Sequence, residues 1–175
     1  MPIDRSRQFR AINIALLTVS DTRTPADDTS GDILAERIES AGHILAARTI
    51  VRDDADALVT QLEAWIGEGA IDAIVSTGGT GLTGRDVTPE ALDRVKEKDI
   101  PGFGELFRWL SYKSIGTSTV QSRAMAVLAR GTYIFALPGS NGAVRDGWDG
   151  ILGEQLDSRN RPCNFVELMP RLLER

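Results

Sequence analysis

The chain has 175 residues, of which 42% are hydrophobic and 26% are charged, a composition that predicts one compact globular domain over residues 1–175. Its 20 lysines and arginines and 25 aspartates and glutamates give a net charge of −5, and without a basic stripe a nucleic acid is not expected as a partner. One cysteine and one histidine leave no disulfide framework and no Cys/His zinc site, so any metal is expected to be a hard, oxygen-bound ion such as Mg²⁺.

The N-terminal segment has no pattern typical of export. Residues 1–17 contain no long apolar run ahead of a small-residue cleavage site, and no segment has the length and apolarity of a membrane span. We therefore expect a cytoplasmic protein without a membrane partner.

Strands and helices are predicted to alternate along the first half of the chain, from continuous apolar runs and from apolar residues at helical spacing. They are a strand over 12–21, a helix capped by Thr29 or Ser30 and stopped at Gly42, a strand over 44–51, a helix carrying Leu58, Leu62, Trp65 and Ile66, and a strand over 70–79. This order predicts an α/β sandwich with a largely parallel sheet.

The second half is predicted to be mostly helical. Thr88 is expected to cap a helix that has Pro89 as its first residue and runs to about Lys98. The elements after it are helices over 102–112 and 119–129, a buried strand over 132–140, a helix over 141–156 and a helical tail over 164–175.

Four polar loops follow predicted strands: 20–23, 52–56, 76–86 and 137–142. In an open α/β sheet, ligands bind beyond the carboxyl ends of the strands. We therefore expect the four loops to lie on one rim and to form the site.

A G-x-G-x-x-G pattern runs from Gly79 to Gly84, as in a dinucleotide-binding loop. A Rossmann fingerprint lies in the first βα unit, runs directly into its helix, and is followed about 20 residues later by an acid at a strand end. Here the pattern follows the third predicted strand, its helix begins only at Thr88, and Glu105, which has the required offset, lies in a predicted helix. A nicotinamide cofactor is not expected.

The same loop nearly matches a P-loop, but Arg85 and Asp86 stand where that motif has lysine and serine or threonine. A carboxylate can bind Mg²⁺ directly but would repel a bare phosphate. We interpret the loop as a wide phosphate or pterin cradle with a metal-positioning acid at its end. A merely flexible turn is the alternative, because glycines mark tight turns in any fold.

Asp86 and Asp53 form a candidate metal pair. Both follow predicted strands and precede predicted helices, so helix capping is the alternative for each of them. Two acids on one rim beside a glycine loop favour Mg²⁺-nucleotide chemistry. Asp54 and Asp56 are interpreted as capping or solvated residues. Ser122 lacks a surrounding G-x-S-x-G pattern, so its hydroxyl is expected to donate to a phosphate rather than to act as a nucleophile.

Motifs spread over nearly the whole chain resemble one known family. They are TVSDTR, STGGTGLTGRDVTPEA, PGFGELFR, GTSTVQSRA, FALPGS and LDSRNRPCNF. Together they are similar to the MoaB/Mog family of molybdenum cofactor biosynthesis proteins, and most closely to its MoaB branch.

The resemblance implies a three-layer α/β/α molybdopterin-binding fold, assembly into trimers or hexamers, and binding of molybdopterin. Mog-type relatives adenylylate molybdopterin with Mg-ATP and release pyrophosphate. By motif, Asp86 matches the family's essential acid and Asp53 its second acid, although Arg52 stands where many relatives have proline. Both acids are therefore expected to be catalytic and to bind the metal. The positions that match substrate-binding ones are Ser20, Asp21, Gly78, Gly79, Thr80, Gly81, Ser122, Pro138, Gly139 and Ser140.

The activity expected from this resemblance is attack of the molybdopterin phosphate on the α-phosphorus of ATP, helped by Mg²⁺, backbone N–H groups and Arg85, which is also a predicted substrate-binding residue. A non-catalytic molybdopterin-binding or carrier protein of the same pathway is the alternative, because the MoaB branch is less securely tied to the reaction than the Mog branch. An apolar surface shared between subunits is expected at Phe103, Phe107, Trp109 and Leu110.

Overall fold

The computed structural model describes residues 3–174 and has a six-stranded sheet at its centre. Its strands are β1 (Asn13–Val19), β2 (Ile44–Val51), β3 (Ala73–Thr77), β4 (Lys98–Asp99), β5 (Met125–Ala129) and β6 (Thr132–Leu137). The strand order is β2-β1-β3-β6-β5-β4, in which β2, β1, β3 and β6 are parallel and β5 is antiparallel to both of its neighbours. The predicted, largely parallel sheet is confirmed.

Helices cover both faces of the sheet. They are α1 (Thr29–Ser40), α2 (Ala55–Glu68), α3 (Thr88–Val95), α4 (Pro101–Ile115), α5 (Asn141–Gly147), α6 (Gly153–Gln155) and α7 (Phe165–Leu168). Turns of 3₁₀ helix span Gly116–Gln121 and Met169–Arg171, and a π-helical turn, Trp148–Leu152, joins α5 to α6.

The two faces of the sheet bury separate cores. Along β1, Leu16 points to a core that it shares with α1, α4 and α5, whereas Leu17 points to a core shared with α2 and α3. Burial of successive residues on opposite faces is typical of parallel strands between two helix layers. The three-layer α/β/α fold is therefore confirmed.

The prediction of a helix over 119–129 is wrong. Its first residues belong to the 3₁₀ turn and its last five form β5, which returns antiparallel to β6 through Arg130 and Gly131. These two residues have φ angles of 47° and 87°, the positive values that a tight two-residue hairpin turn requires. A short apolar run such as 124–129 does not distinguish a strand from a buried helix by periodicity.

Several predicted boundaries also shift. Asp28, not Thr29 or Ser30, caps α1, because its side chain accepts a hydrogen bond from the Gly31 N–H. The helix that begins at Thr88 ends at Val95, since Lys98 and Asp99 pair with β5 as β4. The tail is helical only over Phe165–Arg171, and Arg175 lies outside the described residues.

The apolar surface predicted on α4 is partly wrong. Phe103 and Phe107 are 3% and 1% exposed and belong to the core, and Leu110 is half-buried. Trp109 is exposed as predicted, at 59%. The exposed apolar side chains of α4 are Leu106, Trp109, Tyr112 and Ile115, a set that we call the α4 face.

Candidate functional site

The four predicted loops meet at the carboxyl ends of β1, β2, β3 and β6. The Ser20 N–H donates to the Val51 carbonyl oxygen at 2.9 Å, which joins the loops after β1 and β2. The Gly78 N–H donates to the Leu137 carbonyl oxygen at 2.9 Å, which joins those after β3 and β6. The Asp53 N–H donates to Asp21 Oδ1 at 3.3 Å. The expectation of one shared rim is confirmed.

Backbone geometry makes glycine necessary at the start of the glycine-rich loop. Gly78 has a φ of 106°, and a Cβ atom there would lie 2.2 Å from the Val19 carbonyl oxygen. The loop is then tied to the first turn of α3, because the Thr88 hydroxyl donates to the Gly78 carbonyl oxygen at 2.9 Å and the Thr88 N–H donates to that of Gly79 at 3.0 Å. These contacts hold the loop in one shape, which argues against the alternative of a merely flexible turn.

Asp21 pairs with an arginine from the glycine-rich loop. Arg85 Nε donates to Asp21 Oδ2 at 2.9 Å, and this hydrogen bond holds the pKa of the Asp21 carboxyl below its ordinary value, against the opposing effect of burial. The Arg85 side chain remains 67% exposed. Its guanidinium group therefore lies at the solvent edge of the rim.

Asp53 is a half-buried carboxylate beside the same loop. Burial raises its pKa, and the negative charges of Asp21 and Asp86 raise it further. Across residues 3–174, Asp53 forms no ion pair. Helix capping does not account for this residue, because α2 is capped by the Asp54 side chain, which accepts from the Ala57 N–H at 2.8 Å.

Asp86 closes the end of the glycine-rich loop. Its Oδ2 atom accepts from the Thr83 hydroxyl at 2.6 Å and from the Thr83 N–H at 2.8 Å. The hydroxyl contact is the main cause that lowers the pKa of Asp86, with burial opposing it. Capping does not account for Asp86 either, because the N-cap position of α3 is Val87 and has no side-chain hydrogen bond.

The carboxylates of Asp21, Asp53 and Asp86 lie close enough to influence one another, and we call them the acidic cluster. Within the described range no group of three or more His, Cys, Asp or Glu residues is arranged to hold a metal ion. Mg²⁺ needs fewer protein ligands, because it keeps several waters and is bound by one or two carboxylates together with substrate phosphates. Asp53 and Asp86 suit that smaller donor set, since Asp21 already pairs with Arg85.

A cavity of about 370 Å³ opens beside the glycine-rich loop, between α4, the 3₁₀ turn and the start of α5. Its volume lies in the range of small-molecule sites. Five of the predicted substrate-binding residues line it: Thr80, Gly81, Ser122, Pro138 and Ser140. The others lie at the rim outside its wall, namely Ser20, Asp21, Gly78, Gly79, Arg85 and Gly139, together with Asp53 and Asp86.

Arg123, which the sequence interpretation missed, holds the glycine-rich loop from outside. Its Nε donates to the Gly81 carbonyl oxygen at 2.7 Å, its Nη2 donates to that of Asp86 at 2.7 Å, and its third nitrogen pairs with Glu90. The Arg123 N–H also donates to the Thr80 carbonyl oxygen at 3.0 Å. No local pattern predicts these contacts, because 42 positions separate Arg123 from Gly81.

A second set of residues that the sequence did not indicate supports the loop after β6. Asp28 is fully buried and accepts hydrogen bonds from Thr18, Arg23 and Arg48. Arg23 also donates to the Gly139 carbonyl oxygen at 3.0 Å. This network connects the ends of β1 and β6 to the start of α1.

Comparisons with known proteins place the chain in a family. A family model described as a probable molybdopterin binding domain matches residues 15–158. Molybdenum cofactor biosynthesis protein B of Escherichia coli K12 is 48% identical over 160 residues, which cover 91% of this chain and 94% of that protein.

Solved structures agree with the sequence comparisons. A crystal structure of a molybdenum cofactor biosynthesis protein B matches with a TM-score of 0.83 at 38% identity, covering 86% of this chain and 94% of the other. The tungsten cofactor synthesizing protein MoaB of Pyrococcus furiosus matches with a TM-score of 0.73 at 35% identity, covering 83% and 92%. No helix within residues 3–174 is long and apolar enough to cross a membrane. The sheet, its two helix layers and the glycine-rich loop after β3 are consistent with these matches, and the chain belongs to the molybdopterin-binding family that includes the MoaB and Mog proteins.

Proposed function

We propose that the chain acts in molybdenum cofactor biosynthesis by binding molybdopterin and adenylylating it with Mg-ATP. The observation that carries the proposal is the position of the glycine-rich loop, which contributes Thr80 and Gly81 to the cavity wall and Asp86 to the acidic cluster. One short loop thus adjoins a cavity of ligand size and carboxylates suited to a divalent ion. Family membership supports the same conclusion.

The proposed reaction joins two phosphates. An oxygen of the molybdopterin phosphate attacks the α-phosphorus of ATP and forms a new P–O bond, while the bond from the α-phosphorus to the oxygen that bridges it to the β-phosphate breaks. Pyrophosphate leaves in line with the attacking oxygen and takes the electron pair of the broken bond. Because two anions must approach each other, catalysis consists mainly of alignment and charge neutralisation.

The residues of the rim have distinct proposed roles. Asp53 and Asp86 would hold Mg²⁺, which when bound neutralises phosphate charge. Arg85 lies at the solvent edge, and its guanidinium can release the carboxylate of Asp21 and bind a phosphate instead. The planar guanidinium of arginine matches the geometry of both carboxylates and phosphates. Backbone N–H groups of the glycine-rich loop provide further donors, and a phosphate can approach them closely because glycine has no side chain.

The test is to incubate the full chain with molybdopterin, ATP and Mg²⁺ and to measure adenylylated molybdopterin and pyrophosphate. We expect both products in equal amounts, and neither when Mg²⁺ is omitted. Saturable binding of molybdopterin without either product would contradict the enzymatic proposal. That result would support the alternative, a molybdopterin-binding or carrier protein of the same pathway.

We also propose a homo-oligomer, either a trimer or a hexamer. Its support in this chain is the α4 face, where Trp109 and Tyr112 are each 59% exposed although both are large aromatic residues. Exposed apolar patches of this kind commonly mark protein contacts. A copy of the same chain is the simplest occupant, since soluble oligomers are mostly symmetric assemblies of one chain.

A further inference from the structure

The cavity wall combines neutral hydroxyl groups with one carboxylate. Ser111, Ser114 and Ser118 supply hydroxyls from α4 and the 3₁₀ turn, and Thr80 and Ser140 supply others from the rim. Of the fifteen lining residues, all within the described part of the chain, Asp146 is the one with an ionisable side chain. A phosphate would therefore find no cationic partner in this wall.

Asp146 projects from α5 and lines the cavity. Its Oδ2 atom accepts a hydrogen bond from the Ser114 hydroxyl at 3.3 Å. No ion pair to Asp146 is present among residues 3–174. The carboxylate thus keeps capacity to accept hydrogen bonds from a ligand, since each of its oxygens has two acceptor positions.

Apolar side chains complete the surroundings. Phe107, Ile115 and Pro138 line the same cavity. A flat heterocycle can pack against such groups while its edge hydrogen-bonds to the hydroxyls. The cavity therefore suits a neutral, planar ring with donors on one edge, and the phosphate of the same ligand would lie towards the glycine-rich loop.

Under the proposed function the ring of molybdopterin occupies this cavity, and from its wall we infer that Asp146 selects a 2-amino-4-oxo heterocycle there. The inference rests on the proposed function for the identity of the ligand. A pterin presents its ring N3–H and its exocyclic 2-amino group side by side, and one carboxylate can accept from both. Adenine presents an amino donor beside a ring-nitrogen acceptor, which a carboxylate cannot match. Asp146 thus favours binding of the pterin in the cavity over binding of adenine, and ATP would bind at the rim.

The experiment measures binding of small probes without ATP or Mg²⁺, so that it does not depend on turnover. The probe is 6-hydroxymethylpterin, followed by its own fluorescence, and the matched ligand is 6-hydroxymethyllumazine, in which an oxo group replaces the 2-amino donor. Loss of a charge-assisted hydrogen bond should weaken binding by roughly tenfold to a hundredfold. We expect the full chain to prefer the pterin by about that factor, and adenosine to bind more weakly than either.

Asp146→Asn should reduce the preference for pterin over lumazine to about twofold or less, because one of its two terminal atoms becomes an NH₂ donor and can no longer accept from the ligand. The control is Asp149→Asn, an exposed acid of the π-helical turn that pairs with Arg37 and does not line this cavity, and it should keep the full preference. A preference that persists in Asp146→Asn would overturn the inference.

Two further results would also overturn it: equal binding of pterin and lumazine to the unmodified chain, or tighter binding of guanosine, which shares the two donors, than of the pterin. The ligand comparison needs no variant, so it decides the matter even if Asp146→Asn fails to fold. Failure of adenylylation with an intact pterin preference would contradict the proposed enzyme alone.

Discussion

Asp86 has two tasks that a single substitution can separate. It closes its own loop by accepting from Thr83, and it is a proposed ligand for Mg²⁺. Asp86→Asn keeps an oxygen that can accept from Thr83 but removes the charge that attracts a hard cation. We expect kcat for adenylylation to fall by about a hundredfold, or roughly 2.7 kcal/mol in activation free energy, with little change in molybdopterin affinity.

Melting temperature and turnover should be measured on the same Asp86→Asn preparation. A residue that serves only the loop would give a lowered melting temperature and nearly intact turnover, the reverse of the expected pattern. Asp56→Asn is a suitable control, because Asp56 is an exposed acid of α2 that pairs with Arg94 outside the acidic cluster.

The buried carboxylate of Asp28 should make stability depend on pH. Burial by itself would raise the pKa of Asp28, but hydrogen bonds from Thr18, Arg48 and the Gly31 N–H outweigh it, and the pKa is lowered from its ordinary value of 3.8. A carboxyl with a lowered pKa contributes stability above 3.8, and this contribution is lost as the pH falls through the folded-state pKa below that value.

Asp28→Asn tests this dependence. At neutral pH the variant should lose about 1.5–3 kcal/mol of unfolding free energy, because hydrogen bonds to a charged group are lost. In urea titrations at a series of pH values, the difference in unfolding free energy between the two proteins should shrink as the pH falls below 3.8 towards the folded-state pKa of Asp28. A difference that stayed constant with pH would mean that the charge of Asp28 contributes nothing.

Single residues differ in how far the sequence could predict their place at the site. Gly78 and Asp86 lie in a local motif whose spacing and position after a strand indicate a loop on the rim, and the structure has them there. Arg123 and Asp28 act through contacts between distant segments, and their neighbours in the sequence carry no signal of those contacts. The sequence indicates Ser122 as a site residue, whereas the adjacent Arg123 makes the contacts with the loop.

At the level of elements, periodicity predicted long segments well and short ones poorly. The strands 13–19 and 44–51 and the helices between them and after them were predicted because their patterns extend over many residues. β4, with two residues, has too little sequence for a pattern, and β5 is an apolar run that fits a helix equally well. The fold is nevertheless predictable, since the order of the longer elements already determines a parallel sheet between helices.

The glycine-rich loop is an element without regular structure, and Arg123 should determine its stability. Arg123→Lys keeps a positive charge but cannot donate to Gly81, Asp86 and Glu90 from one planar fork. The amides of Thr83 and Asp86 bond within the loop, so their hydrogen exchange should become about tenfold faster in the variant, equivalent to the loss of one net hydrogen bond.

Arg94→Lys is the control for this exchange measurement. Arg94 lies in the last turn of α3, the helix that follows the loop, and both partners of its ion pair with Asp56 are exposed. Pairs of that kind contribute little to stability, so exchange of Thr83 and Asp86 should not change. Equal rates in Arg123→Lys and Arg94→Lys would contradict the role given to Arg123.

At the scale of the whole molecule, the α4 face connects the fold to the proposed assembly. The helix uses Phe103 and Phe107 to cover the sheet, and it leaves Leu106, Trp109, Tyr112 and Ile115 facing outward. Ile115 also lines the cavity, so an occupant of this face would lie beside the proposed pterin subsite. The sequence predicted an apolar surface here but not which side chains form it, because helical spacing alone does not tell which side of α4 meets the sheet.

Trp109→Glu combined with Tyr112→Glu should therefore dissociate the proposed oligomer. Two carboxylates in a buried interface would lose their hydration without gaining a partner, which costs several kcal/mol. Light scattering should give three or six times 19.0 kDa for the unmodified chain and about 19 kDa for the double variant. Ile44→Ser, which removes an equally exposed apolar side chain from the edge strand β2, should leave the assembly intact. Dissociation by Ile44→Ser but not by the α4 substitutions would place the contact at the sheet edge, and a mass of 19.0 kDa for the unmodified chain would contradict assembly altogether.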